Sequence, residues 1–308
     1  MRRMRWICLA AFLVVLASSM ATAQDTPVQS SPSGAEMPFE PPAWAKDMLP
    51  LLAAAGGVVL IATLVLRIVR GRVLTQMRPN FTPWGPLEIA VIGLTWVLLN
   101  MVPPQVIMWA GSWTPATLPT GWFLSTNLVA ALVAFSLAVW LMRRLFGLGL
   151  ENFGFRRENH LLAVGLALLG LLAAAPVQFV IGQIYGALNI RVDQAQVQEI
   201  AQRSGMGLVL AAVLAVLVAP VIEEFIFRGV VQMGVRKYLG SWGAILFSGA
   251  LFAVVHPPLA ISGMIFPLGV VLGYLYQRRQ SLAAPILLHM LFNAITIVVV
   301  VAWRLAPD

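Results

Sequence analysis

Charged residues are scarce in this chain. Only 10% of its 308 residues are Asp, Glu, Lys or Arg, and 60% are hydrophobic, whereas a soluble domain carries roughly a quarter charged residues. This composition argues against a water-soluble fold. Apolar runs of about 20 residues, the length of a membrane-spanning helix, recur from Leu49 to the C-terminus. Because a helix satisfies its own backbone polar groups in lipid, the sequence predicts an all-α, polytopic transmembrane helical bundle.

Cysteine is almost absent as well. The chain has one cysteine, Cys8, and it falls in a segment that is expected to be removed. The mature chain therefore has neither a disulfide framework nor a thiolate metal site. Any metal ion would need nitrogen and oxygen ligands.

The N-terminus has the pattern of a secretory signal. Arg2, Arg3 and Arg5 are basic, the stretch 6–16 is apolar, and small residues precede Gln24. This order predicts a cleaved signal peptide over residues 1–23, and an uncleaved signal anchor is the alternative. Residues 24–48 are rich in Pro, Ser and Gln, which predicts a disordered tail outside the cytoplasm.

Apolar segments after this tail predict about eight spans. Residues 49–160 are expected to form N-terminal transmembrane helices, and residues 161–303 a second transmembrane domain. The predicted spans are Leu49–Val69, Trp84–Val102, Phe123–Met142, Leu161–Tyr185, Met206–Phe227, Trp242–Val255, Ile261–Tyr276 and Leu282–Trp303.

Basic residues lie in small groups at the ends of these spans rather than in one nucleic-acid-binding patch, although the net charge is +8. Most of them fall in the segments that become cytoplasmic if the mature N-terminus is outside. This positive-inside bias predicts a multi-pass protein of the cell (plasma) membrane with an extracytoplasmic N-terminus. The expected surroundings are the lipid bilayer and a membrane protein or peptide substrate, with no nucleic acid; the oligomeric state is not predicted.

Two of the twelve acidic residues stand out. Glu223 and Glu224 follow an apolar run and precede another, and ionisable groups at such depth cost roughly 2.5–3.5 kcal/mol each on insertion scales. Arg228 shares a helix face with Glu224 because it lies four residues further on. Glu223, turned by about 100°, is left as a candidate general base. An ion pair that serves only helix packing is the alternative.

Two of the three histidines also interrupt apolar runs. His256 precedes a Pro-Pro pair, so its helix is expected to stop or kink there. His289 and Asn293 are four residues apart and present an imidazole and a carboxamide on one helix face. His160 lies in a charged segment and is expected in a solvated loop.

Together these side chains suit hydrolysis of a peptide bond. A carboxylate or imidazole can take a proton from water, and a second imidazole with an amide N–H can stabilise an oxyanion. Alternatively, Glu223, His256 and His289 are the ligand set of a hydrolytic zinc site. The residues leave Zn²⁺ and a metal-free glutamate mechanism both open.

Three ordered motifs resemble those of the CPBP (Abi) family, which includes the type II CAAX prenyl endopeptidases. They are Glu-Glu-x-x-x-Arg at Glu223–Arg228, Phe-x-x-x-His at Phe252–His256 and His-x-x-x-Asn at His289–Asn293. The resemblance covers about Leu161 to Ala302. It implies an intramembrane peptidase acting on membrane-associated or lipidated, CAAX-like substrates.

The resemblance also implies a role for each side chain. Glu223, alone or with His256, would activate water, and His289 and Asn293 would form the oxyanion hole. Glu224 and Arg228 would hold the site together. Two other classes of function remain as alternatives: a non-catalytic immunity or scaffold protein, and a proton-coupled transporter.

Straight helices would not bring the two histidines to one depth. Counted from Trp242, His256 lies about 21 Å along its span, whereas His289 lies about 11 Å from Leu282 at the same rise per residue. A bend near the Pro-Pro pair, a fifth helix that continues to Tyr238, or different span ends would reconcile them. We nevertheless expect Glu223, His256, His289 and Asn293 to share one cavity.

Overall fold

The computed structural model describes residues 82–112, 120–190, 205–256 and 259–305. The predicted signal peptide, the extracytoplasmic tail and the first predicted span, Leu49–Val69, lie outside the described residues. Within the described ranges the regular structure is helical throughout, which confirms the all-α class.

Eight α-helices follow one another in the described part of the chain: α1 (Pro86–Ala110), α2 (Thr120–Phe146), α3 (His160–Ala187), α4 (Gly205–Val213), α5 (Ala219–Glu224), α6 (Met233–Val254), α7 (Ser262–Arg279) and α8 (Ala283–Leu305). Helix α5 is flanked by two stretches of π-helix. We call Leu214–Val218 the first π segment and Phe225–Gln232 the second π segment. Short 3₁₀ turns lie at Leu150–Phe153 and Leu259–Ile261.

Four described helical stretches are long and apolar enough to cross a bilayer: Leu124–Phe146, His160–Ala187, Gly205–Val254 and Leu259–Arg279. Two shorter apolar helices are Pro86–Leu99 and Ala283–Val299. These helices support a multi-pass membrane protein. The total of eight spans stays a prediction.

The fifth and sixth predicted spans belong to one helical hairpin. Helix continues past the predicted end at Phe227, and the backbone changes direction at Gly240, where φ is 68° and ψ is −178°. Beyond that turn the chain runs back along itself, since the Ser248 hydroxyl donates to the Phe227 carbonyl at 2.7 Å. Residues about equally far before and after Gly240 therefore face each other.

The hairpin resolves the difference in depth between the two histidines. Helix α8 begins beside Gly154, whose carbonyl accepts from the Leu282 N–H at 2.9 Å. The neighbouring Phe153 packs on Gly229, where a Cβ would lie 3.2 Å from that of Phe153. The start of α8 is therefore level with Gly229. The turn at Gly240 lies further along the first arm of the hairpin, beyond that level. The continuation of the fifth helix beyond its predicted end thus brings the two histidines together.

Small residues let the helices approach closely around this hairpin. The buried face of α3 consists of residues at helical spacing, namely Ala163, Ala167, Gly170 and Ala174. Between α6 and α7, a Cβ on Gly269 would lie 2.9 Å from the Gly249 carbonyl oxygen. Close backbone contact of this kind is typical of helices that pack in membranes, and it fixes the second arm of the hairpin against α7.

Replacing Gly240 by alanine should destabilise the fold through the backbone alone. No atom lies within 4 Å of the position that its Cβ would occupy, so the cost comes from the left-handed φ and should be about 1–3 kcal/mol. Gly165→Ala is the matched control, because its Cβ also meets nothing within 4 Å and the residue is helical. Thermal unfolding in detergent should show a lower Tm for Gly240→Ala. A Tm equal to that of Gly165→Ala would contradict the strained turn.

Candidate active site

The two glutamates end α5, where the helix changes from α to π geometry. Such π segments occur frequently at functional sites. The Glu224 side chain is completely buried, whereas Glu223 keeps 17% of its side-chain surface exposed. Adjacent residues of the same type therefore lie in different environments.

Glu224 forms an ion pair inside the bundle. Its Oε2 lies 3.0 Å from Nε of Arg228, and both side chains are fully buried. The Nε–H does not point at the oxygen, so the contact is an ion pair without a linear hydrogen bond. Arg228 also donates from Nη1 to the Ser248 hydroxyl at 3.3 Å, and its Cζ lies 4.7 Å from the ring centroid of Phe252.

The buried pair also orients His289. Nδ1 of this histidine lies 3.2 Å from Glu224 Oε1. A carboxylate oxygen accepts hydrogen bonds, so the hydrogen is assigned to Nδ1. In the neutral imidazole the lone pair is then on Nε2.

The orientation of His256 follows from the end of its helix. Helix α6 ends at Val254, as the prolines that follow predict, and Nδ1 of His256 lies 2.6 Å from the Phe252 carbonyl oxygen. A carbonyl only accepts, so this nitrogen is assigned the hydrogen. Nε2 of His256 is again the acceptor.

Both Nε2 atoms face the remaining glutamate. Glu223 Oε2 lies 3.7 Å from Nε2 of His256 and 3.9 Å from Nε2 of His289. These separations exceed the usual hydrogen-bond range of about 2.7–3.2 Å. Oε2 has no hydrogen-bond partner among the described residues. Three proton acceptors therefore surround one small volume, and a molecule that donates hydrogens, such as water, complements it.

Asn293 has a different partner in the structure. Its Nδ2 donates to the Ala215 carbonyl oxygen, in the first π segment, at 2.7 Å. The bond ties α8 to the helix that carries the glutamates. A carboxamide has two N–H donors, so this bond leaves one for another acceptor.

Two side chains at the site were missed by the prediction of site residues. Ser248 connects Arg228 to the Phe227 carbonyl, and the Phe252 ring lies beside both histidines. Nothing distinguishes a serine or a phenylalanine in a sequence of mostly apolar and small residues, although Phe252 begins one of the three motifs.

The three predicted zinc ligands match zinc in type but not in spacing. Donors around a tetrahedral zinc with ordinary bond lengths are roughly 3.3 Å apart, which is less than the 3.7 and 3.9 Å from Glu223 to the two imidazoles. Among the described residues no three acidic, histidine or cysteine side chains form a group that could hold a metal ion. We therefore derive no chemical step through a metal.

Removing one partner of the buried pair should be costlier than removing both. Arg228→Met leaves Glu224 charged and uncompensated, which should cost about 3–5 kcal/mol. The double variant Arg228→Met with Glu224→Gln should unfold at a higher temperature than Arg228→Met alone, because no buried charge remains. Equal or lower stability of the double variant would show that the charge pair does not set the stability here.

Known proteins resemble the part of the chain that forms this site. Residues 205–295 match the family model described as Type II CAAX prenyl endopeptidase Rce1-like. No solved structure shows a significant similarity to the chain.

Two bacterial proteins are similar to this chain over 89 and 128 residues. A candidate membrane peptidase, YdiL of Bacillus subtilis (strain 168), is 26% identical over 89 residues, which are 29% of this chain and 36% of the relative. The membrane-embedded CAAX protease MroQ of Staphylococcus aureus (strain USA300) is 24% identical over 128 residues, or 40% of this chain and 50% of the relative. The chain thus spans half or less of the length of these relatives.

The matched segment begins at the first residue of α4 and ends two residues after Asn293. It contains both glutamates, Arg228 and both buried-site histidines in the order that the three motifs predict. This segment is therefore similar to the type II CAAX prenyl endopeptidase Rce1-like family, and the chain is similar to the two bacterial membrane peptidases.

Proposed function

We propose that this chain is an intramembrane endopeptidase in which Glu223 activates water. The observation that carries the proposal is the cluster of three acceptors: Glu223 Oε2 lies 3.7 Å from Nε2 of His256 and 3.9 Å from Nε2 of His289 and has no hydrogen-bond partner among the described residues. A water molecule can donate one hydrogen to Glu223 and the other to an imidazole. The similarity to membrane proteases supports the same reading.

Hydrolysis then needs one proton to move twice. Glu223 takes a proton from the water while the water oxygen attacks the carbonyl carbon of the peptide. The tetrahedral intermediate breaks its C–N bond, and Glu223 returns the proton to the departing nitrogen. His256 has its acceptor nitrogen beside Glu223, so it can share the proton of the water during the attack.

The oxyanion requires hydrogen-bond donors. Glu224 accepts from Nδ1 of His289, and Nε2 of this imidazole can carry a second hydrogen. In this form Nε2 of His289 becomes a donor on the side of the attacked carbonyl. The second N–H of Asn293 is the other donor that we propose for this role.

An apolar or lipid-anchored peptide is the substrate class that we propose. Glu223 and His256 are partly exposed, at 17% and 21% of their side-chain surfaces. On the helix that leads to them, Val213 and Leu217 are exposed to 41% and 50%. A peptide that reaches the carboxylate along this helix therefore passes an apolar surface, which suits a membrane-embedded or lipidated segment better than a charged one. CAAX-like prenylated termini belong to this class.

The membrane context follows from the same helices. Several apolar stretches support a multi-pass membrane protein, and we propose the plasma membrane with the mature N-terminus outside. The proposed partners are the bilayer and the membrane-associated substrate.

Glu223→Gln should abolish cleavage without unfolding the protein. The amide cannot take a proton from water, and loss of a general base lowers rates by roughly 10²–10⁴-fold. The assay uses purified protein, a farnesylated peptide that ends in Cys-a-a-X and an unmodified transmembrane peptide, with products identified by mass spectrometry. Glu151→Gln, at an exposed glutamate of the 3₁₀ turn, is the matched control and should cleave like the natural chain.

Other outcomes would identify another function. Unchanged cleavage by Glu223→Gln would exclude this residue as the base. A scaffold role is favoured if Glu223→Ala and His289→Ala keep the biological activity but lower the Tm. A transporter is favoured if Glu223→Gln stops solute uptake into vesicles and no peptide is cleaved.

Removal of metal ions should leave the activity intact. Because the spacing of Glu223 and the two histidines does not match a zinc site, cleavage should continue after exhaustive dialysis against 1,10-phenanthroline. The metal content is measured in parallel by plasma mass spectrometry. Loss of cleavage that added Zn²⁺ restores, together with one bound zinc per chain, would overturn the metal-free mechanism.

A further inference from the structure

We infer that Phe252 is a positioning residue that holds both imidazoles and the Arg228 guanidinium in register for the reaction. The expected effect on cleavage rests on the proposed function, whereas the orientation of the imidazoles by Phe252 does not depend on it. Phe252 is 1% exposed and lies on α6, four residues before His256.

One ring contacts the three groups at comparable distances. Its centroid lies 4.8 Å from the imidazole of His256 and 5.3 Å from that of His289. The planes of the last pair stand at 85°, the edge-to-face arrangement that aromatic rings favour. The Cζ atom of Arg228 lies 4.7 Å from the same centroid, within the range of a cation–π contact.

The backbone of Phe252 adds a fourth contact. Its carbonyl accepts from Nδ1 of His256 at 2.6 Å, which fixes the tautomer of this imidazole and directs Nε2 to Glu223. A single residue therefore sets the orientation of His256 through its backbone and its side chain. His289 and Arg228 are on other helical segments, so the ring relates three parts of the chain to one another.

This geometry matters because the acceptor cluster has little tolerance. Nε2 of His256 and Nε2 of His289 lie at nearly the same distance from Glu223 Oε2, 3.7 and 3.9 Å, so a water that donates to Glu223 can also donate to an imidazole only while that ring keeps its position. A smaller side chain at position 252 would leave space into which either imidazole can rotate. A displacement of about 1 Å can lower a catalytic rate by as much as 10²-fold.

The test compares Phe252→Leu with a matched core variant, Phe153→Leu. Phe153 is also fully buried, at 0% exposure, and its ring packs on Trp84 and Phe225 instead of on the site. Both changes remove the same aromatic ring from a buried position. A general effect of core packing would therefore appear in both variants.

The first readout does not require cleavage. The full-length chain has three histidines, and with ¹⁵N-labelled histidine in detergent each ring gives its own NMR signals. These are assigned with His160→Gln, His256→Gln and His289→Gln. Phe252→Leu should shift or broaden the signals of His256 and His289 and leave those of His160 unchanged. Phe153→Leu should leave all three in place.

The second readout is the cleavage of the farnesylated peptide. Phe252→Leu should lower kcat by about tenfold to a hundredfold with little change in KM, and Phe252→Tyr, which keeps the ring, should restore most of it. Phe252→Met, which preserves more volume, carries the same expectation as Phe252→Leu if the leucine variant does not fold.

The two readouts separate the inference from the proposed function. If the natural chain cleaves neither peptide, the proposed function fails, but the imidazole signals still decide whether Phe252 positions the rings. Unchanged signals of His256 and His289 in Phe252→Leu, or equal changes in Phe153→Leu, would overturn the positioning role.

Discussion

A charge pair buried among apolar helices is the interaction on which the rest of the site depends. Burying Glu224 and Arg228 costs more than their mutual attraction returns unless further hydrogen bonds satisfy them. His289 contacts the carboxylate, and Ser248 and Phe252 contact the guanidinium. Each of these partners comes from another helical segment, so the contacts of the pair also bring α6 and α8 to the end of α5. The position of Glu223 follows, because it is the next residue on the same helix.

The two glutamates show how environment divides the roles of identical side chains. Glu224 is enclosed by the Arg228 guanidinium and the His289 imidazole, which contact both of its carboxylate oxygens. Glu223 has an exposed edge and an oxygen without a hydrogen-bond partner among the described residues. The first residue is suited to hold a structure and the second to exchange a proton, although one peptide bond separates them.

Much of this arrangement was predictable because polar residues are rare in the chain. An acid, a base or an amide within an apolar run is conspicuous, and the four-residue spacing of Glu224 and Arg228 predicted their pairing, which the structure shows. The depth of the site was predictable only as one of three alternatives. Hydropathy does not place the turn at Gly240, so a fifth helix that continues to Tyr238 could not be distinguished from a bend near the Pro-Pro pair or from different span ends. Phe252 was missed for the opposite reason, since an apolar side chain is not conspicuous here, and the bond from Asn293 to Ala215 depends on a carbonyl that sequence periodicity does not reveal.

The first π segment makes the direction of the Glu223 and Glu224 side chains depend on the number of residues that precede them. A π turn contains one residue more than an α turn, so Leu214–Val218 determines how far the helix has rotated when it reaches Glu223. Asn293 of α8 donates to the Ala215 carbonyl within that segment. This bond fixes the start of the rotation relative to α8. Substitutions between Ala215 and Glu223 can preserve this geometry, but an insertion or deletion there would turn the next residue by about 100° and point a different side chain at the histidines. Length is therefore more tightly constrained than composition in this part of the chain.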